Sequence, residues 1–263
     1  MPLKSTGNVI SNIKFNKKNV VLYFNKDKVS ISPDAYSLNY LYVGKVLSRK
    51  EINELTEFSK TDEALKKAMS LLKKGHYSEF HIREKLKEKE FDSKTINAVV
   101  KFLKNNDLIN DEMLANDLME YFNEKNYGKN RIINELRNKG IFDVTISKLK
   151  FPENLEKKKA KEYLQEIEPR LVNLSYEKKK ERLYTSLMGR GFEMNVVLST
   201  LEGLKNKDEK QEKKNLNRDF SLIYMRLSSR YEDEELKEKI FKAMKNKGYK
   251  FKDIQKMMEE KFL

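Results

Sequence analysis

Ten cations stand at positions where binding chemistry is conceivable. Near the ends of four helical segments come Lys89, Lys139, Arg190 and Lys247, each two residues before an apolar residue. Two positions earlier stand Lys87, Arg137, Met188 and Lys245, basic in three of the four copies. Arg83, Lys129 and Arg131 lie near the starts of such segments. Recurring Lys and Arg offer charge-assisted hydrogen bonds to phosphate or carboxylate oxygens. A structural use competes, because a cation in the last turn of a helix interacts favourably with its dipole by about 0.3–1 kcal/mol. Arg83, Lys129 and Arg131 oppose that dipole, so the structural explanation serves them less well.

Other reactive types are sparse. His76 and His81 have no cysteine or third histidine to complete a metal site. Ser78 marks a helix start three residues before His81, so capping or solvent exposure is expected there. Gly44–Lys45 and Gly128–Lys129 lack the upstream glycine of a phosphate-binding loop. "GRG" at 189–191 sits at a helix end, and no GxSxG occurs. Carboxylates alternate with lysines at helical spacing, as in "REKLKEKE", and are expected as solvated pairs. The sequence therefore predicts no catalytic residue, no cofactor and no bound metal.

The elements that position the cations follow from a repeat. "INELRNKGIF" (133–142), "LYTSLMGRGF" (183–192) and "IFKAMKNKGY" (240–249) share one pattern. Its apolar anchors are Phe91, Ile141, Phe192 and Tyr249, preceded by Glu90, Gly140, Gly191 and Gly248. Five residues before each anchor stand Leu86, Leu136, Leu187 and Met244, and four earlier Ile82, Ile132, Leu183 and Ile240, on one helical face. Ile96, Ile146, Val197 and Ile254 open the next helix. A glycine past the last turn can adopt the left-handed conformation that satisfies dangling carbonyls. Glu90 departs from this, so that turn either lacks a left-handed residue or bears about 1–2 kcal/mol of strain.

Upstream of each pair lies an amphipathic segment: 63–75, 111–125, 156–171 and 218–231. The expected fold is mainly α: about four tandem three-helix repeats of about fifty residues in an elongated array. The expected boundaries are 61–109, 110–155, 156–205 and 206–263, the last with a polar linker at 206–217. The third helix of the second repeat is expected to be cut short before Pro152. Ahead of the repeats, residues 1–60 read differently. "VISNIKF", "VVLYF" and "KVSI", separated by Asn-, Lys- and Asp-rich turns, predict a small β-meander. Helices are expected after Ser32–Pro33 and over 47–58, the latter with Ser48 and Glu51 as a capping box.

Composition agrees with a modular chain. The 263 residues carry 55 Lys+Arg against 41 Asp+Glu, a net charge of +14, and only 38% are hydrophobic. Such a thin core suits small packing units better than one large globule. The charge favours a nucleic acid or another acidic partner, unless a Lys-rich genome simply writes Lys wherever solvent allows. Absence of cysteine excludes disulfides and thiolate zinc sites. No apolar run approaches the roughly 20 residues of a membrane span, and no signal-peptide core opens the chain, so a cytoplasmic location is expected. Tyr77, Tyr121, Phe122 and Tyr127 lie among the bases and could stack on unpaired nucleobases, although Phe122 reads as core.

Three stretches, "GHYSEFHIREKLKEKEF", "LINDEMLANDLMEYF" and "YGKNRIINELRNKGI", resemble the body of the RecX family, bacterial regulators of the RecA recombinase. The opening 46 or so residues from Val9 are similar to the N-terminal extension of its longer members. Glu90, the "ND" at 110–111 and the short third helix of the second repeat depart from the family pattern. The resemblance implies a non-enzymatic modulator that lodges in the groove of the RecA–DNA filament and depresses ATPase, strand-exchange and co-protease activities. It implies the RecA filament as partner, with weaker, salt-dependent binding to single- or double-stranded DNA, and a monomer is expected. A stand-alone nucleic-acid-binding helical repeat is the alternative.

Overall fold

The computed structural model describes residues 8–25, 27–204 and 208–262. Five short strands open the chain: β1 (Asn8–Val9), β2 (Asn12–Phe15), β3 (Val20–Tyr23), β4 (Lys28–Ile31) and β5 (Val46–Leu47). The expected meander is the antiparallel sheet β2-β3-β4, with Ile13 opposite Leu22 and Val21 opposite Ser30. β1 and β5 form a separate antiparallel pair. Alternation along β3 sends Val20 and Leu22 into a core with Ile10, Phe24, Ile31, Ala35, Leu41 and Leu47. Helix α1 (Pro33–Leu38) starts as read, with the Ser32 hydroxyl accepting the Ala35 N–H.

The next helix differs from expectation. α2 (Arg49–Leu72) runs unbroken through both segments read as separate helices, starting in the Ser48/Glu51 capping box. Nothing between them breaks a helix. The potential capping residues Ser59 and Thr61 instead donate to the carbonyls of Leu55 and Glu57, at 2.7 and 3.0 Å. Ser59 also accepts the Ser32 N–H at 2.9 Å. α2 thus closes the sheet's core through Leu55 and opens the first repeat through Ala64 and Ala68.

Helices then come in threes. α2 is followed by α3 (Glu79–Lys87) and α4 (Ser93–Asn105). The second set is α5 (Asp111–Glu124), α6 (Lys129–Asn138) and the four-residue α7 (Asp143–Ile146), short as expected. The third is α8 (Glu153–Ile167), α9 (Tyr176–Gly189) and α10 (Met194–Glu202). The fourth is α11 (Glu209–Leu227), α12 (Asp233–Asn246) and α13 (Phe251–Phe262). Much of the polar stretch at 206–217 is therefore helical, capped by Asp208; residues 205–207 lie outside the described ones.

The eight residues of the two aligned apolar columns, Ile82 to Ile240 and Leu86 to Met244, are all inaccessible to solvent. The chain forms two compact bodies, Met1–Asn116 with Arg137–Ile146 and Asp117–Leu136 with Ser147–Leu263. Within these bodies three of the turns close alike. The N–H groups of Phe91, Phe192 and Tyr249 donate at 3.3 Å to the carbonyls of Leu86, Leu187 and Met244. That is the 6→1 bond of a helix ending in a left-handed residue. The residue before each anchor has positive φ in all four copies, including Glu90 at +63°.

Candidate binding surface

Cations can grip a polymer only if the units carrying them are held in register, and the register is set where one repeat meets the next. At each such place the turn ending the second helix of one repeat lies on the start of the second helix of the repeat before. A Cβ on Gly140 would stand 2.7 Å from Ser78 Oγ and from Phe80 Cδ1. One on Gly191 would overlap Arg131, and one on Gly248 would stand 2.9 Å from Ser175 Oγ. Hydrogen bonds follow the same contact. Gly128 N–H and Asn130 N–H donate to the carbonyls of Arg190 and Gly191, each at 2.9 Å, and the Ser175 hydroxyl donates to the Lys247 carbonyl.

A carboxylate completes each junction. Glu79, Lys129 and Tyr176 are the first residues of α3, α6 and α9. Their N–H groups donate to Asp111, Glu156 and Glu212 of the following repeat, at 2.9, 2.9 and 2.8 Å. Each acid therefore caps a helix that is not its own, where the orphan N–H groups and the dipole favour negative charge. Burial pushes the Asp111 carboxyl above its ordinary value, against the lowering effect of the Glu79 N–H. Glu156 is 3% exposed and pairs with Lys159, equally buried. Lys159 Nζ also reaches the Tyr127 carbonyl at 2.7 Å and Asn123 Oδ1 at 2.8 Å. At the next junction Asn215 bonds the carbonyls of Val172 and Leu174. Sequence reading missed these acids, because "EKKKAKE" looks like a solvated face.

The ten expected binding residues divide on this frame. Arg83 is tied to Glu79 (2.8 Å) and Asn97 (2.7 Å), and Arg137 to Asp143 (2.8 Å). Lys129 pairs with Glu193 at 2.8 Å. Arg131 lies 3.9 Å over the Tyr127 ring and near Glu135. Arg190 packs 4.3 Å over the Tyr163 ring and donates to the Lys125 carbonyl. Lys247 reaches Asp219 at 3.2 Å. Lys87, Lys89, Lys139 and Lys245 are exposed, without an ion pair among the described residues. The aromatics divide too: Phe122 is buried and stacked with Tyr127 at 5.7 Å, Tyr77 packs on the first repeat's core, and Tyr121 is exposed beside Lys125. His81 Nδ1 lies 3.1 Å from Ser78 Oγ at the start of α3, and His76 is exposed.

These features define a class: a protein of tandem three-helix repeats whose neighbours are joined by helix-capping acids, with lysines that carry no ion pair among the described residues exposed to solvent. Residues 64–103 match the family model described as the first three-helix domain of RecX. Regulatory protein RecX of Streptococcus agalactiae is 22% identical over 90% of this chain and 92% of its own length. RecX of Clostridioides difficile is 29% identical over 70% of this chain and 93% of its own. A crystal structure of a regulatory protein RecX superposes with a TM-score of 0.59, at 20% identity over 74% of this chain and 99% of that one. The RecX of Lactobacillus salivarius gives 0.51 over 54% and 95%. The chain thus carries a RecX first three-helix domain and is similar over most of its length to proteins named as RecX regulators.

Proposed function

We propose that this protein regulates RecA without catalysis of its own, by lying in the groove of the RecA–DNA filament and depressing ATPase, strand-exchange and co-protease activities. The observation carrying this reading is the match to regulatory proteins named RecX along nine-tenths of the chain. The junction geometry supports it. Within each compact body the junctions hold neighbouring repeats together, so that a second contact with a repeating polymer is effectively intramolecular. A ligand bridging neighbouring protomers binds one filament geometry better than another, which a modulator must do. Lys87, Lys89, Lys139 and Lys245 are the candidates for contacting RecA or phosphate. Arg83, Lys129, Arg131, Arg137, Arg190 and Lys247 serve chiefly to hold the repeats.

In this reading the protein acts as a cytoplasmic monomer, in repeat units bounded near residues 61, 110, 156 and 206. Its direct binding to single- or double-stranded DNA is weaker and falls steeply with salt. The test is RecA-dependent ATP hydrolysis on single-stranded DNA with the protein titrated in. Inhibition at stoichiometric amounts is expected. Unchanged hydrolysis together with no co-sedimentation with filaments would reject the proposal.

A further inference from the structure

The N-terminal module carries a surface that the repeats do not explain. Between α1 and β5 the chain reads "LNYLYVGKV" (38–46). Tyr40 is 84% exposed and Tyr42 62%, while Leu41 between them is 4% exposed and anchored in the module's core. Leu38, Val43 and Val46 are exposed alongside, as is Val9 on the strand paired with β5.

The segment is built rather than loose. Lys45 Nζ donates to the Asn39 carbonyl at 2.8 Å, and Asn39 donates to the Ala35 carbonyl at 2.8 Å. Gly44 N–H donates to the Ile10 carbonyl at 2.8 Å, and Ile10 N–H returns to Lys45 at 3.0 Å. Tyr40 is held at φ +46°, a conformation an aromatic residue rarely adopts. Strain at Tyr40, beside a second exposed ring at Tyr42, calls for an occupant.

Charge identifies it. From Leu38 to Lys50 there is no Asp or Glu, and Lys45, Arg49 and Lys50 are present. The acids that follow are engaged: Glu51 accepts the Ser48 N–H at 2.7 Å, and Glu54 faces Lys50 at 3.9 Å. Two exposed tyrosine rings in a segment that bears Lys45, Arg49 and Lys50 and no acid fit unpaired nucleobases on a phosphate backbone, because bases stack on tyrosine without regard to sequence. We infer that the Tyr40–Tyr42 loop is a binding site for single-stranded nucleic acid, separate from the repeats and independent of the RecA reading.

The test is fluorescence anisotropy of a labelled 20-nucleotide oligo(dT) with the full chain at low and moderate salt. Tyr40→Asn with Tyr42→Ala should weaken binding about tenfold or more, the asparagine tolerating the positive φ. Tyr40→Phe with Tyr42→Phe should retain it. Duplex affinity should change little, since paired bases offer no free face. A thermal melt matching the parent's keeps a loss from being misfolding. Unchanged oligo(dT) binding in the Asn/Ala variant, or equal loss in the Phe variant, overturns the inference. Loss of RecA inhibition with oligo(dT) affinity intact also overturns it, making the loop a protein contact. A parent that binds oligo(dT) through these rings but leaves RecA unaffected would sustain this site while rejecting the proposed function.

Discussion

Glu90 and Gly191 end equivalent helices with the same left-handed twist, φ +63° and +84°, yet they do different work. Glu90 is exposed, and no three-helix repeat precedes its own. Gly191 lies against Arg131 with no room for a side chain. The glycine of this repeat is therefore required twice, by backbone twist and by the neighbour's approach, and only the second requirement lapses in the first copy. α12 carries Asp233, Glu234 and Glu235 in its own first turn, where negative charge suits the helix dipole.

The comparison is broken most severely at the middle junction. Glu156→Ala should cost about 3–5 kcal/mol, because it strands the Lys159 charge in the interior and uncaps α6. Urea unfolding measures this, and a loss below about 1 kcal/mol would mean the pair is hydrated. Gly191→Ala comes next, at about 2–4 kcal/mol, summing left-handed strain with overpacking against Arg131.

The basic column sharpens the same contrast. Arg190→Ala should cost about 1–2 kcal/mol through lost packing on Tyr163, whereas Lys139→Ala should stay within about 0.5 kcal/mol. One aligned position thus has two fates, set by the first helix of its repeat. Seven residues after the capping acids Glu156 and Glu212 stand Tyr163 and Asp219, which hold Arg190 and Lys247. A charge-reversal test of binding therefore belongs on Lys89 and Lys139, where the fold is not at stake.

This explains what could be read from the sequence. The glycine turns, the apolar columns, the truncated α7, the caps at Ser32, Ser48 and Ser78 and the meander are local patterns, each fixed by a few neighbouring residues. The junction acids are not local. Asp111, Glu156 and Glu212 bond partners 27 to 36 residues away, and within their own helices they resemble any first-turn acid. Their recurrence at each junction was the available signal. The division of the cations into tied and free was illegible for the same reason, since it depends on Tyr163 and Asp219 across a fold. Tyr40 and Tyr42 were passed over because their exposure follows from Leu41 and Lys45 pinning the loop.

A smaller effect concerns pH. Burial raises Asp219, but hydrogen bonds from Arg218, Tyr249 and Lys247 outweigh it, and the carboxyl sits below its ordinary value. Tyr249 is pushed up by burial and by that carboxylate. An acid whose folded value is depressed contributes stability above its unfolded value, about pH 4, and loses it as pH falls through the folded value. Asp219→Asn should therefore flatten the acid limb of the stability profile below about pH 4. An unchanged acid limb in thermal melts would show that the carboxylate is not coupled to folding.

The smallest expected effect has the opposite sign. Glu90→Gly removes a left-handed strain of about 1–2 kcal/mol but adds the unfolded-chain entropy of glycine, about 0.5–1 kcal/mol, leaving a net gain of a few tenths to about 1 kcal/mol. Glu90→Ala keeps the strain and should be nearly neutral. Denaturant midpoints for the pair separate the two requirements on this turn. A stabilised glycine variant beside a neutral alanine one would show that twist alone operates at Glu90. A glycine variant no more stable than the alanine one would show that the left-handed twist carries no cost at this turn.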